Sequence, residues 1–127
     1  LVFQDHNLID YLTPKENLRL VNPKADMKIL EDLGLSREES KRNIMHLSGG
    51  QRQRVAVGRA LVAPGRAILA DEPTGSLDPE MTDEVIDLLR HAAHQLGKCV
   101  IVVTHSKRVA DSADAVYTLR HKKLAKA

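Results

Sequence analysis

The chain has 127 residues, 43 % hydrophobic and 28 % charged, a balance that supports a core and argues against a disordered chain. Its 19 Lys and Arg against 17 Asp and Glu leave a net charge of +2, too small for a mainly electrostatic nucleic-acid binder, and its only aromatics, Phe3, Tyr11 and Tyr117, offer no stacking platform for single strands. The lone Cys99 excludes an internal disulfide framework or a cysteine-based zinc site, and no apolar run approaches the roughly 18 residues of a membrane span, so the composition reads as a cytosolic soluble domain.

The pattern divides near Pro64-Gly65, giving a helical part over 1–63 and a strand-and-helix part over 64–127. Thr13-Pro14 predicts a helix start, with Thr as cap and Pro at the first helical position. Asn22-Pro23 is a break. Leu30, Leu33 and Leu35 end a second helix that Gly34 stops. Ser36-Arg37-Glu38-Glu39 has a cap followed by first-turn acids, which suits a further short helix. Ser48 and Gln51 fit a capping box, and the helix behind them turns Val55, Gly58, Leu61 and Val62 inward. Ala67 to Ala70 is a short apolar run that reads as a strand, followed by a turn over 71–76. Asp78-Pro79-Glu80 starts a long helix with Met81, Val85, Leu88, Leu89, Ala92 and Leu96 on its inner face, and Gly97 closes it. Cys99–Val103 is a second apolar run, and Ala115–Leu119 reads as a third strand.

Two unbroken apolar strands joined by a long helix predict a βαβ unit, with a parallel sheet covered on both faces. In such α/β sheets ligands bind beyond the carboxyl ends of the strands. Asp71 and Glu72 follow the first strand and His105 follows the second, so all three are expected on one edge. Asp71 suits a Mg²⁺ ligand, and Glu72 suits a base that polarises an attacking water. Gly49 and Gly50 leave backbone N–H groups open to a phosphate at the positive end of a helix. Each feature alone also has an ordinary structural reading: a capped helix, surface acids at a strand end, a capping Asp78, a hydrogen-bonding His105.

Together, and in this order, the motifs closely resemble the ATP-binding subunit of ABC transporters. Leu47-Ser48-Gly49-Gly50-Gln51 resembles the signature motif, and Ala67 to Glu72 the Walker B strand. Ser76-Leu77-Asp78 is similar to the D-loop. Val103-Thr104-His105-Ser106 is similar to the switch-histidine loop, and Val2-Phe3-Gln4-Asp5 to the Q-loop. Asn7-Leu8-Ile9, Thr13-Pro14, Glu16-Asn17 and Glu72-Pro73-Thr74-Gly75 look most similar to subunits for lipoprotein release, macrolide export or antimicrobial-peptide export.

The resemblance implies a partial P-loop NTPase fold: a helical signature subdomain plus the later parallel-sheet part of the core. It implies ATP and Mg²⁺ as ligands, a second ATP-binding domain in a head-to-tail dimer, a transmembrane permease partner, and a place on the inner face of the cell membrane. Ser48, Gly49 and Gly50 would contact the γ-phosphate of the partner's ATP, with Gln51 in the same motif. Asp71 would complete the Mg²⁺ shell, Glu72 would be the base, and His105 would hold the γ-phosphate and water. Gln4 would sense metal and water, and Asp78 would report across the dimer.

Two departures stand out. No G-x-x-x-x-G-K-[ST] phosphate loop occurs; the only Gly-Lys pair is Gly97-Lys98. With a first residue of Leu1 rather than Met, the chain is therefore expected to be the later part of a larger ATPase domain, binding ATP weakly and inactive alone. The alternative is a non-catalytic module that docks a membrane or soluble partner. Missing earlier strands would open a sheet edge and favour self-association. Secondly, Arg120-His121-Lys122-Lys123 stands where the family often has an Asp-Gly turn. This weighs against a final hairpin, and His121, Lys122, Lys123 and Lys126 read as a solvated tail.

Overall fold

Thr13 accepts a hydrogen bond from the Glu16 backbone and Glu16 reaches back to the Thr13 N–H, so the first helix, α1 (Pro14–Val21), opens on a complete capping box. The structure, a computed structural model, describes residues 8–75 and 77–126. After α1 come α2 (Lys28–Asp32), two 3-10 turns (Glu39–Lys41 and Ile44–His46) and α3 (Gly49–Val62). The chain continues through β1 (Ala67–Asp71), α4 (Pro79–His94), β2 (Cys99–Val103) and α5 (Lys107–Asp111). It finishes with β3 (Tyr117–Arg120) and β4 (Lys123–Lys126). The architecture is α/β.

β1 and β2 pair in parallel, with Ala67 opposite Cys99 and Asp71 opposite Val103. α4 connects them, which is the expected βαβ unit. One contiguous core joins the helical part to the strands: Leu18, Leu30, Leu33, Ile44, Val55 and Val57 pack in the same cluster as Ile68, Ala70, Val85, Leu89 and Ala92. α3 lies at its centre, burying Gln53, Val55, Ala56, Val57, Gly58 and Ala60. Gly58 lets α2 approach closely, because a Cβ there would sit 2.8 Å from Leu33 Cδ1 and push that side chain aside.

The expectation that the strands are covered on both faces is corrected. Among the described residues, Ile68 and Ala70 face the core, while Leu69 (44 %), Ile101 (51 %) and Val103 (64 %) are exposed. Register explains the alignment: Leu69 lies opposite Ile101, so their exposed side chains share one face. Only the other face receives the described core helices.

Three further expectations change. Leu96 lies past the end of α4 and is 57 % exposed rather than on its inner face. The third strand starts at Tyr117 and does not join β1–β2; it pairs antiparallel with β4, Arg120 opposite Lys123. A final hairpin is therefore present, and Lys123 and Lys126 are strand residues rather than tail. Its two-residue turn places His121 at φ 50° and Lys122 at φ 62°. That is the sign that a primed hairpin turn demands, though Asn and Gly normally supply it.

α5, unanticipated in the sequence, is capped by Ser106, which accepts from the Val109 N–H. Polar contacts strap it and the following loop to α4. Arg108 meets Asp83 through two hydrogen bonds of 2.9 and 2.5 Å, Arg90 donates to the Ser112 carbonyl, and His94 contacts Asp114 at 2.8 Å.

A second capping box stands at Ser36–Glu39, its hydroxyl 3.0 Å from the Glu39 N–H and the Glu39 carboxylate 2.8 Å from the Ser36 N–H. The Ser36 backbone N–H holds the Glu39 carboxyl below the ordinary carboxylate range against the opposing effect of burial. The Ser36 hydroxyl, Arg54 and Arg42 also lower it.

Two outcomes follow for stability. Leu18 is fully buried, so Leu18→Ala is expected to cost about 2–5 kcal/mol in urea unfolding; a loss within the error of the measurement would place Leu18 outside the core. Because the folded-state pKa of Glu39 is lowered, its contribution is complete above the unfolded-state value and disappears as pH falls through the folded one. Glu39→Gln should therefore lower stability at neutral pH, and the difference from the parent chain should shrink on acidification. A difference independent of pH would refute this.

Candidate functional site

The carboxyl ends of β1 and β2 bring Asp71, Glu72, Thr104 and His105 to one edge of the sheet. Asp71 ends β1 with its side chain exposed. Glu72 continues the ladder for one more bond, its N–H donating to the Val103 carbonyl at 2.8 Å. Its backbone then turns to φ 47°, a left-handed conformation that costs a non-glycine residue about 1–3 kcal/mol. The surrounding bonds fix the carboxylate. Oε1 accepts from the His105 backbone N–H at 2.7 Å, and Oε2 accepts from Thr104 Oγ1 at 3.1 Å. The Thr104 hydroxyl in turn accepts from the Ser106 N–H at 2.9 Å. An ionised carboxylate has about four acceptor positions, so these two bonds aim the group without exhausting it.

The second constellation is the first turn of α3. Ser48 Oγ accepts from the Gln51 N–H at 3.1 Å, and Gln51 Oε1 accepts from the Ser48 N–H at 2.8 Å. Gln51 Nε2 donates to Glu39 Oε2, which locks one capping box to the other. Gln51 thus works inside the cap at both ends of its side chain. Ser48 and Gly49 are exposed, and a Cβ added at Gly49 would meet nothing within 4 Å. The opening is therefore real space beside the positive end of a 14-residue helix. Ser48, Gly50, Arg54, Leu77, Asp78 and Met81 line an open cavity of about 400 Å³. Asp78 caps α4 by accepting from the Met81 N–H at 2.8 Å.

The structure thus brings Glu72 and His105 together beside Asp71, and separately brings Ser48 and Gly50 together with Asp78. Gln4 and Ser76 lie outside the described residues. Gln53, Arg54 and Thr104 are assigned no role from the sequence alone. Gln53 is 1 % exposed, and its amide donates to the Pro73 carbonyl at 2.5 Å and the Glu72 carbonyl at 3.3 Å. Arg54 donates to the carbonyls of Gly50, Leu33 and Gly34, tying the end of α2 to the start of α3. The one available signal was a polar Gln53 in a helix whose neighbours on that side are apolar.

Comparison with known proteins gives the same frame. The ABC transporter family matches residues 1–75. The lipoprotein-releasing system ATP-binding protein LolD of Rickettsia prowazekii is 42 % identical over 94 % of this chain and 58 % of its own length. The macrolide export ATP-binding/permease protein MacB of Brucella melitensis is 43 % identical over 94 % of this chain and 20 % of its own. YclH of Bacillus subtilis, an uncharacterized ABC transporter ATP-binding protein, is 36 % identical over 90 % of this chain and 55 % of its own. Among solved structures, a dimeric ATP-binding cassette in a post-hydrolysis state bound to ADP and Pi matches with a TM-score of 0.86. It is 33 % identical, over 98 % of this chain and 61 % of that one. The chain therefore spans well under two thirds of the length of these curated relatives. The chain belongs to the ABC transporter ATP-binding family.

Proposed function

We propose that this chain is the signature-bearing and water-activating part of an ABC exporter ATP-binding subunit. The observation that carries the reading is the Glu72 carboxylate, held by Thr104 and the His105 N–H at the carboxyl edge of a parallel sheet. A fixed carboxylate with free acceptor positions is what a general base needs. The family binds ATP with Mg²⁺. The residues present fit the phosphate end of such a nucleotide: Gly49 opens onto empty space at a helix N-terminus, where exposed N–H groups favour an anion. Mg²⁺ needs only one or two protein carboxylates beside phosphates and water, and Asp71, exposed at the strand end, suits that role. When bound, the metal would neutralise charge on the phosphates.

In this reading Ser48, Gly49 and Gly50 face the γ-phosphate of a nucleotide bound by a second ATP-binding domain, placed head to tail. Gln51 supports that turn as its cap. Glu72 takes the proton of the attacking water, and His105 orients that water and the γ-phosphate. Asp78, on the shared cavity with Ser48, carries contact across the dimer, and Gln4 senses metal and water. The working protein drives export with a transmembrane permease, at the inner face of the membrane. Among the described residues no helix is long and apolar enough to cross a membrane, so the permease would supply the span.

The 127 residues contain no phosphate-loop string, so this chain is proposed to bind ATP weakly and to be inactive alone. ATP turnover by the chain at micromolar concentration is expected to match that of buffer and to be unchanged by Glu72→Gln. Turnover that Glu72→Gln abolishes would overturn the proposed inactivity. The open sheet face is also expected to draw copies of the chain together. Light scattering should report a mass above that of one chain, and Ile101→Lys with Val103→Lys should return it to the monomer. A compact, stable parent monomer would count against this association.

A further inference from the structure

We propose that Gln53 is the positioning residue for Glu72, an inference that rests on Glu72 being the base. The buried side of α3 is otherwise made by Val55, Ala56, Val57, Gly58 and Ala60. A carboxamide in that setting must have its donors satisfied. Its Nε2 group carries two N–H donors, and two consecutive carbonyls take them, Pro73 at 2.5 Å and Glu72 at 3.3 Å. Holding both carbonyls toward one amide constrains the peptide between them, next to the residue that sits at φ 47°. The same Glu72 carbonyl also accepts from the Gly75 N–H at 3.2 Å, closing the turn.

The direction of the Glu72 backbone decides where its side chain can reach. With the turn fixed from below by Gln53, the carboxylate meets Thr104 Oγ1 and the His105 N–H above. Without that amide, a left-handed Glu72 loses a restraint on its own carbonyl, and the carboxylate is free to leave the edge of the sheet. Gln53 is buried and bonds the backbone of the turn, not the carboxylate. It acts through Glu72.

Amide hydrogen exchange on the full chain tests this without any nucleotide, so the outcome is independent of whether the chain hydrolyses ATP. Two amides report directly: Gly75, bonded to the Glu72 carbonyl, and His105, bonded to the Glu72 carboxylate. Gln53→Met keeps length and flexibility while removing both donors. It is expected to raise exchange at Gly75 and His105 by about fivefold relative to the amides of α1, the size of one lost hydrogen bond. Gln53→Glu adds a pH-dependent readout, local to the turn when Gly75 and His105 respond more than the amides of α1. Ionised, its carboxylate repels the two carbonyls. Protonated, it donates one hydrogen bond, so protection at both amides, corrected for intrinsic rates, should return as pH is lowered through the raised titration range of a buried acid. Unchanged exchange at Gly75 and His105 in Gln53→Met would overturn the proposal. So would an equal rise in α1, or protection in Gln53→Glu that does not respond to pH.

Discussion

Much of the described core is arranged around α3, a half-buried helix with two polar ends. Six residues of α3 are buried, which supplies much of the core, but a helix leaves N–H groups open at one end and carbonyls at the other. The carbonyl end is satisfied from elsewhere in the fold: the Asn22 amide donates to Val62, and the Lys98 ammonium donates to Leu61 and Ala63. A cation there also opposes the negative pole of the helix. The other end is treated differently. Ser48 and Gln51 satisfy part of it, Arg54 binds the Gly50 carbonyl, and Gly49 remains uncovered. One end is therefore closed by the protein, and the other is left partly open to solvent. That asymmetry is what makes the first turn of α3 a candidate for meeting an anion.

The strained turn at Glu72 depends on the same helix. A residue with a Cβ does not hold φ 47° without compensation. Compensation comes from three directions: β2 through the Val103 carbonyl, the loop after β2 through Thr104 and His105, and α3 through Gln53. The edge of the sheet and the signature helix are thus parts of one hydrogen-bonded structure. In the proposed mechanism these two parts serve different nucleotides, one bound by this domain and one by its partner. Burial of a single carboxamide between them means that neither can be repacked without regard to the other.

Among the described residues, the β1–β2 sheet is covered on only one side. β1 and β2 are apolar at nearly every position, yet Leu69, Ile101 and Val103 meet solvent while Ile68 and Ala70 are buried. A half-covered strand normally alternates apolar with polar residues. The run Ala67 to Ala70 and the run Cys99 to Val103 do not, so their composition is suited to apolar cover on both faces. A two-sided sequence thus stands in a one-sided environment, an inconsistency between local pattern and packing in the described residues.

Capping and periodicity made much of this legible in the sequence, because both are written in adjacent residues. Thr13-Pro14, Ser48 with Gln51, and Asp78-Pro79 each start a helix where the residue chemistry says it must. Glu72 and His105 were placed on one sheet edge by the rule that parallel strands end together, and the register bears out that placement. What stayed hidden depends on distant partners or on unusual backbone. Asn17 looks like any surface amide, yet it is buried and bonds the backbone of Ile9 and Thr13. α5 is short, and much of its attachment comes from Arg108, Arg90 and His94 contacts that span 20 or more residues. The hairpin turn at His121 and Lys122 uses positive φ without Gly or Asn, so composition pointed away from it. Gln53 belongs with these. Its neighbours in sequence show an amide on an apolar face, and only the fold reveals that the two carbonyls it must satisfy are those of the turn that aims Glu72.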